Sequence, residues 1–242
     1  MKSSNLTQPQ PQRMPAALRM GWLQPLLVSV GGLMGVMLAL TLWFALVQPV
    51  KVLPRLRTMP DYLLTNQDGR PMGDAELRGR MVLMSFSYTR CGDGCAELNR
   101  RLQDVRAALA ESGVLGARIT FATISLDPSH DTPEVLRGYA AQMGADPASW
   151  SFLTGAPEEI KGLAGGELGI YYEKPDASGR MAHDQRVLLI DERGILRARY
   201  ELGSLTMSRL SRDLGLLNQE RSSTGVMRQV YEFSHLFLCY PD

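Results

Sequence analysis

The longest apolar stretch lies near the start of the chain. From Met20 to Val50 there is no Asp, Glu, Lys or Arg, and residues 26–47 are apolar apart from Ser29, Thr41 and glycines. At ~1.5 Å per residue this segment makes a helix of about 33 Å, enough to cross a bilayer core of roughly 30 Å. Trp22 and Trp43 stand near its ends, where amphipathic rings favour the membrane interface. A cleaved signal peptide has a shorter apolar region, ~7–15 residues, and a small-x-small site. Leu46-Val47-Gln48-Pro49 offers no such site. A buried helix of a soluble protein would not need apolar residues on every face. The expectation is an uncleaved transmembrane anchor over residues 22–50. A polar, Pro/Gln-rich cytoplasmic tail (1–21), disordered by composition, precedes it, and a linker (51–60) follows.

Beyond residue 60 the pattern becomes that of a folded α/β domain, expected over residues 61–220. Asn66-Gln67-Asp68-Gly69 is a turn between short extended pieces at 62–64 and 70–72, and residues 81–88 form an apolar run of buried-strand length. Leu98, Leu102, Val105 and Leu109 recur at helical spacing within 94–110. A second strand reads at 119–126. Asp131-Thr132-Pro133-Glu134 then starts a helix with a cap and an early proline. An apolar piece at 150–153, a weak helix at 157–163, and strands at 187–190 and 195–200 follow. The last two strands are joined by a turn at Asp191-Glu192-Arg193-Gly194, and a helix at 205–217 closes the unit. Alternating strands and helices ending in a hairpin and helix predict a central mixed sheet. Residues 221–242, with Phe233, Leu236, Phe237 and Leu238, form a C-terminal extension.

Charge adds one distinction. The 242 residues carry 26 Lys+Arg against 25 Asp+Glu, but the first acidic residue is Asp61 and six bases precede it. The tethered part is therefore net −5. The near-neutral total and the net acidity of the tethered part argue against a nucleic-acid binder, which carries a basic excess. Bases flank the apolar span on both sides, so the positive-inside rule assigns no orientation, and an extracytoplasmic domain is the expectation.

Only three cysteines occur, and two form Cys91-Gly92-Asp93-Gly94-Cys95 where the first buried strand meets a helix. Unpaired N–H groups and the helix dipole there stabilise a thiolate, and Arg90 adds positive charge. The spacing differs from the Cys-x-x-Cys of thioredoxin-type enzymes but permits a disulfide. Two soft sulfurs suit Cu(I) and are too few for a closed zinc site. A third ligand must come from elsewhere: His130 and His183 both lie in loops beside predicted strands, and the residues alone do not choose between them. His235 and Cys239 fall in the extension, where Cys239 reads as a packed or free thiol.

Taken in order, Leu64-Thr65-Asn66-Gln67-Asp68-Gly69, Ser87-Tyr88-Thr89-Arg90-Cys91-x-x-x-Cys95, Ser125-Leu126-Asp127-Pro128-x-x-Asp131-Thr132-Pro133 and His183-x(6)-Ile190-Asp191-x-x-Gly194 resemble the SCO/SenC family over roughly residues 58–218. These are membrane-anchored, thioredoxin-fold copper proteins of cytochrome c oxidase assembly. The resemblance implies a thioredoxin-like α/β domain and a copper ion held by Cys91, Cys95 and His183, with Asp127 beside the site. It selects His183 over His130. It also implies a single-pass protein of the inner (cytoplasmic) membrane with its domain on the periplasmic side. The implied partners are the copper-bearing subunit of a haem–copper oxidase and a copper donor or thiol reductant, with no nucleic acid. The expected function is a copper chaperone for the dicopper site. The alternatives are a tethered thiol–disulfide reductase and a copper- or redox-sensing interaction protein. Two departures stand out: Ala96 replaces the usual proline after the second cysteine, and Gly92 and Gly94 loosen the loop.

Overall fold

Residues 23–47, 51–116 and 118–237 are described by the computed structural model, which divides into a unit within residues 1–49 and one within 50–242. The expected tail 1–21, Trp22 and Cys239 lie outside the described residues. In the first unit, helix α1 (Leu23–Val47) has no acidic residue in its first turn and no basic residue in its last. Its span Pro25–Trp43 is long and apolar enough to cross a membrane. Ser29 donates its hydroxyl to Leu26 O at 2.9 Å and Thr41 to Met37 O, so both polar side chains are satisfied within the helix.

The second unit runs β1 (Arg57–Thr58), β2 (Leu63–Asn66), β3 (Pro71–Gly73), α2 (Asp74–Leu77), β4 (Met81–Ser87), a tight 3-10 segment (Thr89–Cys95), α3 (Ala96–Glu111), β5 (Ile119–Ser125), α4 (Pro133–Gln142) and β6 (Trp150–Thr154). Then come α5 (Pro157–Ile160), continued by a π-type segment (Lys161–Glu167), β7 (Arg186–Ile190), β8 (Ile195–Glu201), α6 (Met207–Ser222) and α7 (Gly225–Phe237). The strands form one mixed sheet in the order β1-β8-β7-β4-β5-β6-β2-β3. β4, β5 and β6 are parallel, and β7 runs antiparallel beside β4.

All residues of β4 and β5 are buried because both faces of the sheet are covered. Alternation along β4 sends Met81 and Leu83 into one core with Leu98, Leu102 and Val105 of α3, and Leu136 of α4. Val82, Met84 and Phe86 enter the opposite core, with Leu163, Met181 and both Cys91 and Cys95. The expected local signals hold. Thr132 caps α4 by accepting from Val135 N at 3.4 Å, and the Asp191 carboxylate accepts from Arg193 N (2.9 Å) and Ile195 N (3.0 Å) to close the β7–β8 turn.

Two boundaries differ from expectation. Residues 51–60 do not behave as a free linker: Val52, Leu53 and Met59 are buried, and β1 pairs with β8. Arg197, 1% exposed, fastens this segment by donating to Leu53 O (2.8 Å) and Pro54 O (3.1 Å). The same guanidinium meets Asp191 at 2.9 Å and Glu220 at 2.6 Å. The C-terminal extension is equally integrated. α6 continues past residue 220, Tyr231 of α7 packs with Val52, and Arg55 bridges Glu220 (3.0 Å) and Glu232 (2.7 Å).

Candidate metal centre

The cysteine loop begins where β4 leaves the sheet. Gly92 takes φ 55°, a conformation that favours glycine, and lets the chain double back before Cys95 enters the N-terminus of α3. Cys91 and Cys95 form a disulfide with Cα atoms 5.6 Å apart. Cys95 is fully buried and accepts from the Ser87 hydroxyl at 3.4 Å.

Sheet order brings the histidine here. Ser85 of β4 pairs with Val187 of antiparallel β7, so the segment leading into β7 arrives beside the end of β4. His183 pairs with Tyr172 in a short bridge, supported by Glu173 N to Ala182 O and Asp184 N to Tyr171 O, both 2.9 Å. Its Nε2 lies 3.8 Å from Cys95 Sγ, and the ligand atoms of Cys91, Cys95 and His183 all fall within 4.8 Å of one another. Three further contacts hold the segment. The Tyr88 hydroxyl accepts from Met181 N (2.8 Å) and donates to Met181 O (3.0 Å). The Tyr88 ring meets the imidazole edge-on at 5.5 Å. Gln185 Nε2 donates to Gly94 O at 2.5 Å. An open cleft of about 530 Å³, bordered by Arg90, Cys91, Arg180, Met181 and His183, faces the site.

His130 also follows a strand that ends at this edge, yet it is exposed and does not join the group; its main-chain N–H donates to Asp127 O at 3.0 Å. His235 falls in α7. Asp127 is not among the three converging side chains. Its carboxylate, 4% exposed, accepts from Arg90 Nε (3.0 Å) and Nη2 (2.5 Å), beside Cys91. By sequence, Asp131 belongs to the helix start ahead of Pro133. It is fully buried and anchors the cysteine loop, accepting from Thr89 N (3.1 Å), Thr89 Oγ1 (2.5 Å) and Ser125 Oγ (2.5 Å). Tyr88 and Gln185 were likewise missed; nothing in local spacing marks residues that act across the fold.

Burial pushes the His183 pKa below its ordinary value, opposed by a hydrogen bond with the Met181 main chain and the negative charge of Asp184. The shift favours the neutral imidazole, the form that ligates a metal. With the disulfide reduced, the site offers two cysteine sulfurs and one imidazole, a soft donor set suited to Cu(I). With the disulfide closed, both sulfurs are withdrawn.

The profile of one protein family, SCO1/SenC, matches residues 51–214. This chain belongs to the SCO1/SenC family. The SCO1 protein homolog of Bacillus subtilis (strain 168) is 27% identical over 134 residues, spanning 55% of this chain and 68% of the relative. Bradyrhizobium japonicum ScoI with copper bound superposes with a TM-score of 0.55 at 25% identity, covering 66% of this chain and 98% of that one. BsSco, a member of the Sco family of cytochrome c oxidase assembly proteins, is similar in fold (TM-score 0.61, 22% identity, 69% and 98% covered). The SCO1/SenC domain here is accordingly a thioredoxin-like α/β fold. In general, thioredoxin-like oxidoreductases place a cis-proline loop opposite their cysteines. No cis peptide occurs among the described residues, and His183 stands in that loop with no proline between residues 176 and 190.

Proposed function

We propose that the protein is a membrane-tethered copper chaperone that binds one copper ion through reduced Cys91 and Cys95 together with His183. The ion is cargo, passed to the dicopper site of a haem–copper oxidase during assembly. The observation that carries this reading is the convergence of three soft or borderline donors within 4.8 Å from segments 88 residues apart. Family membership and the copper-bound ScoI relative support it. Three protein ligands beside an open cleft leave one side from which a partner's thiolate or imidazole can replace them in turn. Asp127 contributes indirectly, by holding Arg90 next to Cys91.

α1 tethers the domain to the inner membrane, and the domain works on the periplasmic side. The apolar span supports the tether, and membership of the SCO1/SenC family supports the placement. Reduction of the Cys91–Cys95 disulfide is the loading switch. The same bond favours a second reading, a thiol–disulfide reductase that keeps oxidase cysteines reduced and needs only the two sulfurs.

Copper stoichiometry of the reduced full chain in detergent tests the chaperone reading. One ion per chain is expected, lost in the Cys91→Ser/Cys95→Ser variant; equal binding by that variant refutes it. His183→Ala separates the two readings. Loss of oxidase assembly with thiol exchange retained supports copper transfer, whereas unaffected assembly favours the reductase.

A further inference from the structure

Residues 182–184 pair with 171–173 around the antiparallel Tyr172–His183 bridge, and in such extended chain alternate side chains share one side. Observed contacts fix that side at two positions: His183 Nε2 lies 3.8 Å from Cys95 Sγ, and Gln185 Nε2 donates to Gly94 O at 2.5 Å. Met181 is the next residue in this i, i+2, i+4 series. Its main-chain N–H and C=O both bond the Tyr88 hydroxyl (2.8 and 3.0 Å), which fixes the position of its backbone beside the site. It is 8% exposed, shares one buried cluster with Cys91 and Cys95, and borders the same cleft as Cys91 and His183.

We propose that the Met181 thioether is a third sulfur donor to the copper held by Cys91, Cys95 and His183. The inference rests on the copper reading above and deepens it. A thioether is soft and uncharged, so it favours Cu(I) over Cu(II) and stays a donor at any pH. It brings the donor count to four without adding charge to a site that already gathers two thiolates. A neutral thioether is also a weaker donor than a thiolate, so it steadies the ion and yields first when a partner's ligand approaches through the cleft. Packing alone would need only the volume of Met181, because methionine commonly fills gaps in a core. A leucine of similar size would serve that purpose equally well, which makes sulfur the variable to test.

Reduced full chain in detergent, loaded anaerobically with one equivalent of Cu(I), is compared with Met181→Leu by copper-edge X-ray absorption. Cu(I) affinity is measured alongside by competition with a chromogenic chelator. The parent is expected to show three sulfur scatterers and the variant two. The variant's affinity should fall toward the low end of the roughly 10–100-fold that loss of a supporting metal-site group costs. The leucine swap nearly conserves volume and should keep the fold. Should it not, selenomethionine-labelled parent gives an independent reading through a Cu–Se scatterer. An unchanged sulfur shell and affinity in Met181→Leu, or no Cu–Se contact in the labelled parent, overturns this proposal and leaves the copper site standing. Failure of the parent to take up copper overturns both.

Discussion

Gly179 sits four residues before His183 with φ +81°, and a Cβ built there would lie 2.4 Å from Arg90 Nη1 and 2.5 Å from Arg90 Cζ. Gly179→Ala therefore acts twice. The left-handed backbone costs an ordinary residue ~1–2 kcal/mol. The methyl also displaces the Arg90 guanidinium and loosens its bonds to Asp127, which is 4% exposed. A hydrogen bond to a charged group contributes ~1.5–3 kcal/mol. Arg90 is 37% exposed, so water compensates for part of that loss. A total of about 2–4 kcal/mol follows for Gly179→Ala. In an Arg90→Ala background only the backbone cost of about 1–2 kcal/mol remains. The double-mutant cycle should thus show a coupling of about 1–2 kcal/mol. Urea unfolding of the oxidised chain, followed through Trp150, which is fully buried against Phe121 and Phe152, measures it. Equal costs in the two backgrounds would refute the packing argument and with it the idea that Arg90 couples the cysteine loop to the histidine loop.

Tyr88→Phe removes the partner of both Met181 main-chain groups and is expected to cost about 1–3 kcal/mol in urea unfolding. Copper affinity should weaken in parallel, because the same hydroxyl orients the segment that carries His183. Arg197→Ala leaves Asp191 and Glu220 with an empty place between them and frees the carbonyls of Leu53 and Pro54. A loss of about 3–5 kcal/mol and faster tryptic cleavage at Arg55 or Arg57 are expected; unchanged proteolysis would show that β1 is held by other means. Because burial lowers the folded pKa of His183, the unfolded chain binds a proton that the folded chain does not in the window between that lowered value and about 6.5. Stability from this group therefore rises with pH across the window and is lost as pH falls through it. His183→Gln should flatten the slope of the urea midpoint just below about pH 6.5; an unaltered slope contradicts the assignment.

Much of the fold was readable because its signals are local. The apolar run of α1, the continuous apolar strand β4, the Thr132–Pro133 helix start and the Asp191–Gly194 turn each depend on residues within a few positions of one another. The cysteine pair was legible for the same reason. β1 was not: two residues carry no periodicity, and only the neighbouring strand β8 makes them a strand. Arg197 alternates with apolar neighbours in β8 and reads as a solvent-facing residue, yet the chain at Leu53–Pro54 lies over it and the carboxylates of Asp191 and Glu220 meet it there.

The candidate third ligand shows the division most clearly. Sequence chemistry alone pointed to Cys91 and Cys95 as a candidate soft-metal or redox site, and left two loop histidines open. Sheet order decided between them: antiparallel β7 lies directly beside β4, which delivers His183 to Cys95 across 88 residues of chain, while His130 stays in solvent. A residue's type and near neighbours fix what it can do chemically. Long-range strand pairing fixes which residues meet, because closing a loop of that length is rewarded only by contacts in the finished sheet.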